Sequence, residues 1–589
     1  MKPAPEWAAT LAARVPRDSV RLMEGRRGLS TLSVDGALLH SKYDPEQEAQ
    51  RLVESASLDP GRPVVVLGLG LGYHVAELLK RGFEIAVVEP DPDVAVMALR
   101  EGVARDGYPL WVGPVDGLRG DAGFASLAQG SPQVLLHPAT ARLHSQAVDA
   151  LNNQLAAAAL RGKRFNIAVV GPMYGGSQPI AGYLQRAFAS LGHNAVLIDN
   201  AMAWPLYQAA TAGESRQAAA QLGGMLAHFL SEWTYARVAE FDPEICIVLA
   251  QAPVGDAFPA RLAKLGIVSV FWYVENWRHL PYWQEVAPRY DAFFHIQPGE
   301  FEARLDAAGC RHHAFVQTGC DPELHRPVAL SEEEQAEFGC DVSFAGAGYY
   351  NRLQLFKGLT DLNFKLWGVD WPERELAPLV QGGERRFDFE TFMKIVAGSR
   401  INLNLHSSAT HDGVDPNADA LNPRIFEIAA AGGFQLCDPC RGLDSHFSED
   451  EVPTYRDLAE LREKIAWYLA HPEERQAAAA RSRKRALAEH TYAHRAAEML
   501  EFLLDRHAGT IQRKGVREQL SSAAMAAELE DGDPLRDWLL TISPETPFTQ
   551  DAISALIGGE FARRSYPENL FCYMREVRGF AETLFKEQR

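Results

Sequence analysis

The chain has few of the features that mark secreted, membrane or nucleic-acid-binding proteins. Its 589 residues contain seven scattered cysteines, an odd number that fits reduced thiols better than a disulfide framework. No run of about 18 apolar residues is present to cross a bilayer, and the first 19 residues lack the apolar core of a signal peptide. The net charge is −19, whereas a nucleic-acid surface needs clustered Lys and Arg. We therefore expect a cytoplasmic protein with no integral membrane segment and no nucleic-acid partner.

Metal-binding motifs are also scarce. Cys437 and Cys440 form a C-x-x-C, but no second pair stands at zinc spacing, and Asp438 and Pro439 lie between them. The pattern favours a coincidence at the end of a strand over a redox or metal site. No metal ligand set is predicted.

One stretch carries the signals of a complete helix. In residues 422–433, Asn422 is suited to cap the helix and a glycine pair is suited to end it. Arg424 and Glu427 are three residues apart and are therefore expected to share one exposed face of the first turn. An arginine suits phosphates and a carboxylate suits a sugar diol, so the pair indicates a nucleotide-sugar site. The alternative is an ordinary ion pair on the surface.

The length predicts several domains, because one core does not grow to this size. Alternating apolar strands and helices predict an α/β fold with one Rossmann-like domain followed by two more in tandem. The predicted parts are an N-terminal cap at 1–60, a Rossmann-like G-x-G-x-G domain at 61–160, the tandem pair at 165–325 and 340–507, and a helical tail at 515–589.

The first Rossmann-like domain has a glycine turn after a buried strand. Gly68, Gly70 and Gly72 form the turn, and Glu89 ends the next strand, about 20 residues on. This spacing is nearer the S-adenosylmethionine variant of the turn, in which the acidic residue holds ribose hydroxyls. The domain is therefore methyltransferase-like, and the alternative is a turn kept without a cofactor.

The tandem domains each begin with a strand and a glycine-rich turn. The first turn begins at Gly171 and the second contains Gly346, followed by a helix that carries Arg352. Two such units facing each other make a cleft. Arg352 is a candidate pyrophosphate contact, and the alternative is a solvated helix residue.

Several motifs of the C-terminal half together resemble one enzyme family. They are N-x-R-x-F-E-x-x-A-x-G-G from Asn422, a strand ending at Asp438, the segment E-V-P-T-Y, and H-T-Y-x-x-R. Over about residues 165–507 the chain resembles the spore-maturation CgeB-like glycosyltransferases of the GT-B fold. The resemblance implies a metal-independent glycosyltransferase with no obligatory cofactor, in agreement with the lack of a D-x-D motif of the metal-dependent kind.

The resemblance also implies site residues and a donor. The donor would be a UDP-, GDP- or dTDP-sugar held mainly by the C-terminal domain. Glu427 would bind its ribose and Arg424 would lie by its diphosphate. Asn422 and His406 would line the same pocket, and the turns at Gly171 and Gly346 would approach the donor.

The N-terminal region resembles a second family. The motifs L-H-S-K-Y-D-P from Leu39 and G-L-G-L-G-Y-H from Gly68 are similar to those of motility-associated factor glycosyltransferases, which modify flagellins. This resemblance covers about residues 30–100. It implies a protein or cell-surface glycan acceptor, with flagellin as a candidate.

Three further expectations complete the hypothesis. Glu275, after the strand 268–273, is the candidate general base for an acceptor hydroxyl, and the alternative is that it caps the following turn. The helical tail is a candidate surface for a homodimer. Two other functions stay open, namely an S-adenosylmethionine-dependent methyltransferase with a glycosyltransferase-like accessory half and a non-catalytic scaffold that binds nucleotide-sugars.

Overall fold

A computed structural model describes residue 11, residues 14–103, 107–118, 121–212, 215–372, 374–383 and 385–518, and parts of 522–576. It divides into two compact units, residues 1–163 with 503–512, and residues 164–502 with 513–589. Within the described ranges, no helix is both long enough and apolar enough to span a membrane.

The strands are short and mostly buried. In the described residues they are β1 (Val20–Glu24), β2 (Ser30–Val34), β3 (Ala37–Leu38), β4 (Val64–Leu67), β5 (Ile85–Glu89), β6 (Leu110–Val112), β7 (Gln133–Leu136), β8 (Asn166–Val170), β9 (Asn194–Ile198), β10 (Ile245–Leu249), β11 (Val268–Tyr273), β12 (Ala292–His295), β13 (His313–Phe315), β14 (Cys340–Ala345), β15 (Phe364–Trp367), β16 (Ser399–Asn404) and β17 (Gln435–Cys437).

Helices alternate with these strands along most of the chain. They are α1 (Pro45–Ser55), α2 (Tyr73–Lys80), α3 (Pro92–Glu101), α4 (Ala122–Gln129), α5 (Pro138–Leu143), α6 (Ser145–Leu160), α7 (Gln178–Ser190), α8 (Trp204–Thr211), α9 (Arg216–Phe241), α10 (Phe258–Lys264), α11 (Trp283–Val286), α12 (Glu300–Ala307), α13 (Glu332–Phe338), α14 (Tyr350–Phe356), α15 (Phe389–Gly398), α16 (Arg424–Ala430), α17 (Leu443–His446), α18 (Leu458–Ala470), α19 (Pro472–Glu489), α20 (Tyr492–Glu518), α21 (Ser522–Ala527) and α22 (Pro534–Leu539).

The first unit combines an antiparallel ribbon with a parallel sheet. Strands β1, β2 and β3 pair antiparallel and lie just before His40. The parallel sheet has the order β6-β5-β4-β7. All four residues of β4 are buried, as expected for the central strand of a sheet that is covered on both faces.

The second unit contains two parallel sheets in tandem, which confirms the predicted α/β fold class. The first has the strand order β13-β12-β11-β10-β8-β9, and the second has the order β15-β14-β16-β17. Each sheet changes direction at its first strand, β8 or β14, because later strands add on both sides of it. In open parallel sheets, ligands bind outside the carboxyl ends of the strands at such a change of direction.

The C-terminal tail is helical where it is described. Helices α21 and α22 enclose a small apolar cluster of Ala526, Leu539, Ile553 and Phe571. The rest of the predicted 515–589 segment lies partly outside the described residues, and the homodimer through this tail stays a prediction.

Candidate functional site

A pocket of about 240 Å³ lies at the carboxyl ends of β14 and β16 in the second unit. Both tandem sheets contribute to its wall. The glycine-rich loop after β8 and helix α7 supply one side, and β14, α15, β16 and the start of α16 supply the other. The lining residues used below are Gly176, Tyr183, Gly346, Arg352, Phe387, Phe389, Phe392, Asn404, Asn422, Arg424 and Glu427.

Arg424 and Glu427 form an ion pair inside this pocket. Arg424 Nη1 donates to Glu427 Oε2 at 3.1 Å. The side chain of Glu427 is 8% exposed and that of Arg424 33% exposed. The arginine is also held by aromatic rings, because its guanidinium lies 3.9 Å from the ring centre of Phe392 and 5.3 Å from that of Phe387. The predicted pair therefore exists, but the expectation of an exposed face is wrong for the glutamate.

Asn422 lines the pocket and does not cap the helix. Helix α16 begins after Pro423, and no side chain caps it. The side-chain amide nitrogen of Asn422 instead donates to Asn404 Oδ1 at 2.9 Å. The Oδ1 of Asn422 is buried without a hydrogen-bond partner among the described residues. The capping prediction is wrong, because Pro423 occupies the N-cap position and Asn422 Oδ1, the atom that would accept from the helix N–H groups, makes no such bond.

His406 lies behind Asn422 and outside the pocket lining, which corrects its predicted place. Its Nδ1 contacts Asp438 Oδ1 at 2.8 Å, and its Nε2 accepts a hydrogen bond from the Asn422 backbone N–H at 3.4 Å. Burial alone would lower the pKa of His406, but the neighbouring Asp438 carboxylate and the Cys440 thiol raise it to about 10. Through these two contacts the histidine supports the loop carrying Asn422.

Arg352 is a lining residue with most of its donors already used. Its Nε and Nη2 donate to the Leu405 carbonyl at 3.0 and 2.6 Å, and its Nη1 donates to the Ala347 carbonyl at 2.9 Å. Burial lowers its pKa to about 10. The arginine ties the turn after β14 to the end of β16, so it is not a solvated helix residue. A pyrophosphate contact through its remaining N–H groups stays a prediction.

The two predicted glycine turns differ in their relation to the pocket. Gly346 lines it, and a Cβ there would stand 3.0 Å from the Phe344 ring. Gly171 does not line it, and a Cβ there would stand 3.1 Å from Ala181 Cβ. Gly171 therefore serves close packing between β8 and α7, and Gly176 approaches the pocket in its place.

Glu275 follows β11 and faces the glycine-rich loop of the same half. Its Oε1 accepts a hydrogen bond from Ser177 Oγ at 3.3 Å. Burial raises the pKa of Glu275, and the Ser177 hydroxyl opposes this shift. The following turn is closed by another residue, because Asn276 Oδ1 accepts from the Arg278 amide at 3.0 Å. The turn-cap alternative for Glu275 is therefore wrong, while its role as a base stays a prediction.

In the first unit, the turn at Gly68, Gly70 and Gly72 has the expected left-handed backbone, with φ values of 97°, 52° and 81°. Glu89 does not extend from it toward a ligand. Its carboxylate accepts hydrogen bonds from the Leu69 amide at 2.7 Å and the Asp91 amide at 3.0 Å. It is 1% exposed, and burial raises its pKa to about 7. The predicted ribose-binding role is therefore wrong, because the turn itself satisfies this carboxylate.

Histidines fill the space above the same turn. A Cβ on Gly70 would overlap His40 Nε2, and that nitrogen accepts from the Leu71 amide at 2.8 Å. The His74 and His137 rings stack at 4.8 Å beside it. Burial lowers the pKa of His40 to about 3 and that of His74 to about 4. Their ring nitrogens lie within 4.8 Å of one another, but the lone pair of His40 Nε2 is spent on the Leu71 amide, which speaks against a three-histidine metal site.

Three parts of the pocket were not predicted from the sequence. The aromatic floor under Arg424, the Tyr183 wall and His325 behind Glu427 come from segments far from the 422–433 stretch. None of these segments carries a local motif. Predicting that they lie at the pocket would have required knowledge of the strand order.

Part of the C-terminal half is similar to known proteins. Residues 352–501 match the family model described as glycosyl transferase-like. The chain is also 30% identical over 196 residues to spore protein CgeB of Bacillus subtilis (strain 168), a match that covers 30% of this chain and 60% of that protein. The resemblance to CgeB-like glycosyltransferases is thereby confirmed.

The other matches are shorter or more distant. An uncharacterized protein of Treponema pallidum (strain Nichols) is 42% identical over 94 residues, 15% of this chain and 31% of its own length. The chain thus spans less than two thirds of the curated relatives that it matches. Among solved structures, sucrose-phosphate synthase from Thermosynechococcus elongatus has a TM-score of 0.40 at 14% identity, covering 57% of this chain and 97% of its own. Anabaena HepE in complex with UDP-glucose has a TM-score of 0.40 at 11% identity, covering 58% and 99%.

Proposed function

We propose that this protein is a glycosyltransferase that moves a sugar from a nucleotide-sugar donor to an acceptor hydroxyl. The observation that carries the proposal is the buried Glu427 carboxylate paired with Arg424 inside the pocket. A cation and a carboxylate side by side match two adjacent groups of a nucleotide-sugar, since the diphosphate needs a cation and the ribose hydroxyls need an acceptor.

The donor fits the pocket in one orientation under this proposal. Arg424 uses one Nη1 N–H on Glu427, so the rest of its fork is available to the diphosphate of a UDP-, GDP- or dTDP-sugar. The ribose lies at Glu427 and near Asn422. The pocket in this proposal holds the donor with side chains and backbone groups alone, without an obligatory cofactor.

Glu275 is the proposed base for the acceptor hydroxyl. It follows β11 in the opposite half and accepts a hydrogen bond from Ser177 in the loop that supplies one side of the pocket, and burial raises its pKa, which makes it a stronger base. The acceptor is a protein or a cell-surface glycan, and the motifs at residues 39–45 and 68–74 favour flagellin among proteins.

A panel of ligands tests the proposal by thermal unfolding. UDP-, GDP-, dTDP- and CMP-sugars are compared with S-adenosylmethionine on the same protein. A ligand at about 100 times its dissociation constant adds roughly 2.7 kcal/mol to the free energy of unfolding, so a true donor raises the melting temperature clearly. S-adenosylmethionine is expected to have no effect, because Glu89 and His40 occupy the turn that would hold it. Stabilisation by S-adenosylmethionine alone would refute the proposal.

A second measurement separates an enzyme from a scaffold. The nucleotide-sugar that stabilises the protein is incubated with it, and released nucleoside diphosphate is measured with and without candidate acceptors, flagellin among them. Binding without any hydrolysis or transfer would favour the non-catalytic scaffold.

A further inference from the structure

His325 presents an unpartnered nitrogen to the Glu427 carboxylate. It lies in the segment between β13 and α13, which connects the two tandem sheets. Its side chain is 0% exposed, and its Nε2 stands 3.8 Å from Glu427 Oε1. This nitrogen has no hydrogen-bond partner among the residues that the structure describes. A buried donor left without a partner is costly and calls for an explanation.

The hydrogen bonds around the ring decide which nitrogen carries the proton. The Asp321 amide donates to His325 Nδ1 at 2.8 Å, and the His325 amide donates back to the Asp321 carbonyl at 2.8 Å. Because Nδ1 is an acceptor, a neutral ring carries its proton on Nε2. Burial lowers the pKa of His325, partly offset by Glu427 and Asp321, so the ring is neutral at pH 7. Its single N–H therefore points at the carboxylate.

The position of the ring is fixed from both halves of the pocket. Tyr183 of α7 meets it edge-on with ring centres 4.9 Å apart, and Phe389 of α15 meets it at 5.6 Å. Arg186 Nε donates to Asp321 Oδ2 at 2.8 Å and thereby ties the turn to α7. The imidazole is thus held at one place relative to Glu427 by groups that precede and follow it in the chain.

We propose that His325 is a positioning residue for the donor-binding carboxylate. Its Nε2 lies 3.8 Å from Glu427 Oε1, a distance that allows electrostatic attraction but is too long for a hydrogen bond, while Arg424 donates to Oε2. The carboxylate therefore keeps lone pairs for the ribose hydroxyls. This inference rests on the proposed function, because it assigns His325 a role in recognising the ribose of the donor.

Three variants and two pairs of nucleotides test the inference. The affinities of UDP against 2′-deoxy-UDP, and of GDP against 2′-deoxy-GDP, are measured by calorimetry on the full chain. His325→Asn keeps an acceptor for the Asp321 amide but removes the N–H that faces Glu427. It is expected to lower the ratio of ribo to deoxy affinity about tenfold, while the affinity for the deoxy nucleotide stays within about twofold.

The other two variants guard against a folding defect. His325→Gln carries an amide N–H near the position of Nε2 and is expected to retain the wild-type ratio. His325→Phe keeps the aromatic packing against Tyr183 and Phe389, loses the donor, and is expected to behave as the Asn variant does. His228 is an exposed histidine on α9, and His228→Asn serves as the matched control with no change.

The outcomes separate this inference from the function on which it rests. If ribo and deoxy nucleotides weaken alike in the Asn and Phe variants, or the ratio does not move, His325 has only a structural role and the inference is overturned. A wild-type protein that binds none of these nucleoside diphosphates overturns the proposed function and this inference together. A wild-type protein that binds them but does not distinguish ribose from deoxyribose overturns this inference alone.

Discussion

Separate removal of Glu427 and Arg424 is expected to produce two different ligand profiles. Glu427 is buried in the pocket and offers the ribose a charge-assisted hydrogen bond, of a kind worth about 1.5–3 kcal/mol. Glu427→Ala should therefore weaken every ribonucleotide roughly ten- to a hundredfold. Arg424→Ala should weaken nucleoside diphosphates strongly and leave bare nucleosides nearly unchanged, because its partner is the diphosphate.

The assay is calorimetry with UDP, GDP and the matching nucleosides on both variants. The chain offers a matched control in Arg237 and Glu240, which form an ion pair at the same i,i+3 spacing on α9, with side chains 56% and 69% exposed. A pair of this exposed kind contributes at most about 0.5 kcal/mol to stability. Glu240→Ala should change no affinity.

The result that would refute the reasoning is equally specific. If the dissociation constants of Glu427→Ala and Arg424→Ala equal those of the control Glu240→Ala, the pair has only a structural role. The donor is then not bound at Glu427 and Arg424. Equal losses for nucleosides and nucleoside diphosphates in both variants would contradict the assignment of separate roles.

Two further predictions concern the base and the first unit. Glu275→Gln should lower the rate of transfer about 10²- to 10⁴-fold and leave donor affinity unchanged, and an unchanged rate in a transfer assay would exclude Glu275 as the base. The low folded-state pKa values of His40 and His74, about 3 and 4, lie below the unfolded value of about 6.5, so the stability that they contribute is present above pH 6.5 and is lost as the pH falls toward 4. Each histidine should add up to about 1.4 kcal/mol per pH unit to this loss. The free energy of unfolding, measured in urea, should therefore depend less steeply on pH in His74→Gln than in the wild type or in the control His228→Gln. Identical slopes would contradict the role assigned to burial.

The order of elements was predictable because it depends on local signals. Continuous apolar runs such as Val64–Leu67 and Val268–Tyr273 are strands in the structure with the predicted bounds, since strands buried on both faces need apolar residues at every position. The 422–433 stretch also predicted a pair, Arg424 and Glu427, that lines the pocket. What it did not predict is the burial of Glu427, because burial depends on Tyr183, His325 and Phe392, which reach it through the tertiary fold.

The errors made at the glycine turns share one physical cause. A glycine turn followed by an acidic residue indicates a ligand site only if the space beside the turn is empty, and local sequence does not record what fills it. Next to Gly70 that space is taken by His40 from an earlier hairpin, and the amides of the turn take the carboxylate of Glu89. At Gly346 a Cβ would stand 3.0 Å from the Phe344 ring, and the glycine still lines the pocket. Gly171 shows the third outcome, in which a helix residue, Ala181, fills the space, and Gly176 of the same turn lines the pocket instead. Of the three turns that the sequence marks alike, therefore, the two in the second unit border the pocket and the one in the first unit is filled, and side chains from other elements decide between them.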